Sequence, residues 1–274
     1  MSIISKPDPK VHFNYFMDLL NSSKPFTFIR FSDGEVEVLR NRELMISKNK
    51  TFFRGKFYPN NYPEMDSKKF DPLIDQQFRK DLLDSSIFKS EFFYKGIRAF
   101  SINDSESIVD REFLLRLNGG FNSQITFSDL LINQNYLLFR SQMLPLILNK
   151  FKNIVVVSNW RSIIKFECYQ HIKVCDNFIK KYHNELTSIL NTLINIPLDS
   201  VVLCSASSLT NILGHKLHLL RPDLTFIDVG TSINDLLSLQ NDTRVYHKLL
   251  NKFNKYPPFI KFLNLFINDL LIHW

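Results

Sequence analysis

Glycine is scarce, with 7 in 274 residues, and none falls in a GxGxxG or P-loop pattern. The glycine-rich phosphate cradles of standard dinucleotide-binding and NTP-hydrolysing folds are therefore absent. Cysteine is scarcer still: Cys168, Cys175 and Cys204 are odd in number and form no CxxC pair. That excludes a disulfide framework and favours a reducing compartment. Cys168, His171 and Cys175 lie close together, but their spacing matches no common zinc module and no fourth ligand is evident; core packing is expected. No run of about 18 apolar residues is present to span a membrane. The opening MSIISKPDPK lacks the apolar stretch of a secretory signal, and no block of Lys and Arg forms a basic arm. A cytoplasmic protein that does not bind nucleic acid is the expectation, with peripheral contact at the inner face of a membrane as a secondary one.

What the chain has in quantity is apolar and aromatic surface. Hydrophobic residues make up 45% and Phe alone numbers 26, enough for a sizeable core. The formal net charge of +7 suits anionic partners, phosphorylated small molecules among them. Helical spacing marks 11–22, and the aromatic, β-branched run 26–31 reads as a strand. A helix start is expected at 35–41, and a long loop at 51–64 from its turn formers. A helix is expected at 71–84 with Pro72 at its first position, and a strand within 92–102. Another helix, interrupted near Pro145, is expected at 133–150. Ile154–Val157 are four apolar residues in a row, the mark of a strand buried on both faces. A polar turn and a new helix should follow. The pattern recurs at 199–220 and 224–237. Three strand–turn–helix units predict an α/β fold, a Rossmann-like, mostly parallel sheet flanked by helices. Ligands of such sheets bind beyond the carboxyl ends of the strands. That directs attention to the turns 32–35, 158–161, 205–208 and 228–232.

The first of these turns lies in FTFIRFSDGEVEVL, residues 26–39. Ser32 and Glu35 fit a capping box. Gly34 falls in the first helical turn, where it helps the helix little, and Arg30 stands just before the carboxylates. The sharper reading uses Asp33 and Glu35 together as hard oxygen ligands for Mg²⁺ or Mn²⁺, an ion that would bridge a diphosphate. The two readings are compatible.

RFSDGEVEVLRN resembles the RFGDGE-type segment of the GT-D fold glycosyltransferases, whose D-x-E motif binds a metal–nucleotide-sugar. NQNYLLFRSQMLPLI, KNIVVVSNWRS, and VVLCSASSLTNILGHKLH followed by TFIDVGTSIND resemble later segments of that family in order, over about residues 12–240. The family usually carries Gly where Ser32 and Ala206 stand. The resemblance implies a single glycosyltransferase domain over 1–274, with its core at about 12–240 and a helical extension over 241–274. It implies transfer of a sugar from a nucleotide-diphosphate-sugar, a UDP-sugar first, to a glycan, glycolipid or glycoprotein acceptor, as in polysaccharide biosynthesis. Asp33 and Glu35 would be the D-x-E pair, holding Mn²⁺ or Mg²⁺. Arg30 would orient the pair or the diphosphate, and Asn159, Arg161, Ser205, Ser207 and Asp228 would line the donor pocket. Asp104, Glu106, Asp228 and His247 are the candidates for an acceptor base, with NDSES read as an acidic loop. Two other readings stay open: a non-catalytic nucleotide- or glycan-binding module, and a basic peripheral membrane protein that docks through the apolar tail 256–274.

Overall fold

Ile154–Val157 are buried within β8 (Asn153–Asn159), and Val201–Cys204 are buried within β10 (Ser200–Ser205). Strands apolar on both faces need cover on both sides, and a parallel sheet with crossover helices supplies it. The structure is a computed structural model that describes residues 8–59, 67–239 and 246–248. The chain separates into two compact units, residues 1–239 and 240–274. Of the second, only 246–248 are described, and they are helical; the rest of the expected helical extension lies outside the described residues.

The first unit is organised around a seven-stranded sheet. From one edge to the other run β7 (Ile125–Phe127), β6 (Phe93–Ile97), β1 (Thr27–Arg30), β11 (Thr225–Asp228), β10, β8 and β9 (Gln170–Val174). Every pairing is parallel. The chain leaves β1 toward β6 and β7, crosses to β8 and β9, and returns through β10 to β11 beside its starting strand. The carboxyl ends of β1 and β11 thus meet mid-sheet where the connections diverge, the place such folds bind ligands. One helix seals the centre. α8 (Leu209–Leu220) lies so close that a Cβ on Gly214 would come within 2.6 Å of Ile29 Cγ2 and 2.9 Å of the Phe226 ring.

A second, antiparallel sheet of four strands is inserted between α2 (Asp33–Leu39) and α3 (Gln76–Ile87). Its order is β4 (Lys56–Pro59), β3 (Lys50–Phe53), β2 (Leu44–Ser47), β5 (Ser67–Phe70). This overturns the expected loop at 51–64, of which 60–64 lie outside the described residues. Arg54 and Gly55 both take positive φ, +51° and +73°, the combination a two-residue hairpin turn requires, and the Phe52 and Phe57 rings pack against each other across it, tilted, with centroids 4.9 Å apart.

Other expectations also shift. The α3 helix starts at Gln76 rather than near Pro72, because Asp71 and Asp75 close a turn through the Leu73 and Asp71 amides. NDSES is not a loop: Asp104 caps α4 (Ser105–Leu117), accepting the Ser107 amide at 2.8 Å. The run at 133–150 is interrupted as Pro145 demands. α5 (Tyr136–Leu138) passes through a π-helical stretch, Phe139–Met143, into α6 (Leu144–Lys150). No helix follows β8; the chain turns and continues to β9 before α7 (Tyr182–Leu193). Directly after β11 a 3₁₀ segment, Gly230–Ile233, stands where the helix within 224–237 is expected.

Candidate active site

The centre of the site is the junction of β1 and β11. Arg30, the last residue of β1, is fixed from several sides. Its Nη2 donates to Asp228 Oδ1 at 3.0 Å, its amide to Asp228 Oδ2 at 3.2 Å, and its Nη1 to the Ser128 carbonyl at 3.2 Å. Asn211, on α8, donates to the Arg30 carbonyl at 2.7 Å. Gly230 completes the cradle. A Cβ there would sit 1.6 Å from Arg30 Nη2, so glycine is what lets the guanidinium lie flat against the β11 turn. Burial pushes the Asp228 carboxyl up against the opposing pull of Arg30.

One residue beyond Phe31, the backbone enters α2. Ser32 is the N-cap, and its amide donates to Glu35 Oε2 at 3.0 Å, the arrangement the capping-box reading predicts. Glu35 is buried, and burial raises its carboxyl pKa, with Lys68 the strongest opposing influence and Asp33 and Asp228 adding to the rise. Asp33 is the opposite case. Its side chain is 51% exposed, and its Oδ2 lies 3.8 Å from Arg98 Nη2. One carboxylate of the D-x-E pair is open to a ligand, and the other is sunk behind it.

Three groups near this junction escape a sequence reading. Lys68, on β5 of the inserted sheet, is 5% exposed, and its Nζ donates to Ser207 Oγ at 2.6 Å. It approaches the carboxyl end of the large sheet from outside it, which nothing in SKKF announces. Arg98 follows β6 directly, in GIRAF, and the strand-end rule that picked out the other turns reaches it too. Asp129 follows β7 in TFSDL, which repeats the F-S-D of RFSDGE. It is 5% exposed, its Oδ1 has no hydrogen-bond partner among the described residues, and burial raises its pKa against Arg98 and Arg30.

The expected pocket residues divide. Ser205 ends β10, the strand beside β11 and Asp228, and Ser207 is exposed in the following turn with φ +53°. Asn159 and Arg161 are committed elsewhere. Asn159 Nδ2 donates to Asp176 Oδ1 at 2.6 Å, Trp160 Nε1 donates to Asp176 Oδ2 at 3.3 Å, and Arg161 grips both Asp176 oxygens. This knot lies on β8, three inter-strand spacings or about 14 Å from β1. Of the base candidates, Asp104 is a helix cap and Glu106 pairs with Arg54. His171 is held by the Ser158 and Ser162 hydroxyls at 2.9 and 3.0 Å.

Among the described residues no three His, Cys, Asp or Glu side chains converge on a metal-sized position. Asp33 and Glu35 still place hard oxygens on one helical turn, with Asp33 facing solvent. That donor set fits Mg²⁺ or Mn²⁺ as an ion that brings phosphate and water as its remaining ligands, not as a resident fully held by protein.

No family model and no curated protein sequence matches the chain. Solved structures do. One, described as a new glycosyltransferase (domain of unknown function 1792) from Streptococcus sanguinis, superposes with a TM-score of 0.51 at 13% identity, covering 80% of each chain. A selenomethionine-substituted structure of domain of unknown function 1792 gives the same TM-score and identity over 80% of this chain and 77% of its own. The chain shares the α/β fold of these solved structures; its own seven-stranded sheet is parallel throughout and flanked by helices.

Proposed function

We propose that the chain is a glycosyltransferase that takes a sugar from a nucleotide-diphosphate-sugar, with UDP as the expected nucleotide, and passes it to a glycan, glycolipid or glycoprotein acceptor. The observation that carries this reading is the exposed Asp33 in the first turn of α2, at the mid-sheet junction, with Glu35 buried behind it. The shared fold with a protein described as a glycosyltransferase supports it. Asp33 would hold Mn²⁺ or Mg²⁺ directly, and Glu35 would act through water or on the donor's hydroxyls. The ion, when bound, would neutralise charge developing on the departing diphosphate. Arg30, locked between Asp228 and the Ser128 carbonyl, serves as a positioning residue that sets the angle at which α2 leaves β1. Arg98 stands beside Asp33 as a second cation for phosphate oxygens. Ser205, Ser207 and Asp228 line the donor side. Asn159 and Arg161 support the sheet edge through Asp176. The single-domain reading of the chain is part of this proposal.

The test is calorimetric titration of UDP, GDP and CMP, with and without Mn²⁺, on the wild type and Asp33→Asn. The expected result is Mn²⁺-dependent binding of one nucleotide, weakened about tenfold or more in the variant. If no nucleotide binds, FSDGE is a capping box and nothing more. Binding without donor turnover across a panel of acceptors would favour the non-catalytic module.

A further inference from the structure

Two lysines are buried beside the large sheet, and they are treated differently. Lys95, on β6, is 1% exposed, and its ammonium donates to the Ser86 and Phe88 carbonyls and to Asn118 Oδ1. Its three donors have three acceptors. Lys68 is nearly as buried but has, among the described residues, one acceptor, the Ser207 hydroxyl at 2.6 Å, and the face of the Phe178 ring at 5.4 Å. Glu35 and Asp33 act on its charge from a distance, yet among the described residues no carboxylate lies within 4.0 Å of it. A buried cation with two unused donors is costly unless an anion completes it.

The surroundings are those of an anion site. Ser207 precedes α8, a helix of 12 residues whose N-cap, Ser208, makes no side-chain capping bond. Ser208 is 1% exposed, and its Oγ has no partner among the described residues. The Lys68 ammonium thus reaches the start of α8 through Ser207, one residue before Ser208, whose hydroxyl is uncommitted among the described residues. We infer that Lys68, with Ser207 and Ser208 at the start of α8, binds the distal phosphate of a nucleoside diphosphate. The inserted sheet would thus deliver one half of the phosphate site to a scaffold that lacks a glycine-rich loop. This rests on the nucleotide reading above and adds the residue that separates diphosphate from monophosphate.

The test pairs Lys68→Met and Lys68→Arg with wild type in titrations of UDP, UMP and inorganic pyrophosphate, with thermal melts as the folding check. The expected result is a loss of about tenfold or more in UDP and pyrophosphate affinity for Lys68→Met, with UMP changed less than about twofold, and substantial recovery in Lys68→Arg. Equal losses for UDP and UMP, or none, would overturn the assignment. If no nucleotide binds wild type, the glycosyltransferase reading falls, while pyrophosphate still reads the anion site alone. Pyrophosphate bound by wild type and not by Lys68→Met sustains that site; pyrophosphate bound by neither removes it. Should Lys68→Met fail to fold, Ser207→Ala alters an exposed residue and is expected to weaken pyrophosphate about threefold; unchanged affinity there would equally refute the site.

Discussion

Two polar turns leave the carboxyl end of the same sheet, and in sequence they look alike: a buried apolar strand, then Ser, Asp or Asn, and Arg nearby. After β8, Asn159, Trp160 and Arg161 all converge on Asp176, one buried carboxylate taking donors from three side chains. After β1, β10 and β11 the balance is different. Burial raises Glu35 and Asp228 and lowers Lys68, so acids and base alike are pressed toward neutrality, and Ser208 Oγ is left without a partner. The turn after β8 is tied together by its own side chains through Asp176. The other keeps polar groups under electrostatic cost, the arrangement expected where a charged ligand is to be received. A polar strand end therefore does not by itself mark a pocket; after β8 three side chains of the turn spend donors on one buried carboxylate, whereas after β1 the Asp33 carboxylate faces solvent.

The largest effect that would break this comparison is at Asp176. Asp176→Ala removes the common acceptor and is expected to destabilise the protein by about 3–5 kcal/mol in urea unfolding. Nucleotide affinity of the folded protein should stay within about twofold, because the knot is distant from Asp33. A loss of nucleotide binding comparable to that of Asp33→Asn would return Asn159 and Arg161 to the donor pocket. Next in size is Gly230→Ala. Its Cβ would collide with Arg30 Nη2, displacing the guanidinium and leaving Asp228 buried without it. A cost of about 1–3 kcal/mol is expected, together with weakened nucleotide binding, readable by melting and titration on one sample.

Much of the architecture is legible in the sequence because it depends on local apolar runs. FTFIRF, NIVVV, VVLC and TFID are strands in the structure, since each is too apolar to lie anywhere but in a covered sheet. The inserted sheet is not legible in the same way. Its strands are four residues long and range from exposed β4 to half-buried β5, and their order depends on a turn at Arg54–Gly55 where a non-glycine residue takes positive φ. The site follows the same division. The placement of Asp33, Glu35, Arg30 and Asp228 at strand ends is readable because strand ends are readable. Lys68 is not, since it arrives from a different sheet and only tertiary packing places it at Ser207. The pairing of Arg161 is hidden for the converse reason: its partner, Asp176, lies beyond the next strand.

Asp33→Asn sharpens the comparison through function alone. The side chain is half-exposed, so stability should move by no more than about 0.5 kcal/mol, while Mn²⁺-dependent nucleotide affinity falls about tenfold, near 1.4 kcal/mol. A large loss of stability would make Asp33 part of the frame.

The smallest effect, and the most direct probe of electrostatic cost, is Asp129→Asn. Burial raises the Asp129 carboxyl above its ordinary value of 3.8 in the folded protein. The folded state therefore holds this proton more tightly than the unfolded chain does. Its contribution to stability is complete below pH 3.8 and is lost as pH rises through the folded value. An asparagine of the same shape carries no such penalty. The variant should melt near wild type in acid and gain on it toward neutral pH, by about 1 kcal/mol. A constant difference across pH would mean that Asp129 is ionised at no cost. The likeness between TFSDL and RFSDG would then be one of sequence only, and the electrostatic cost would be confined to β1, β10, β11 and the inserted lysine.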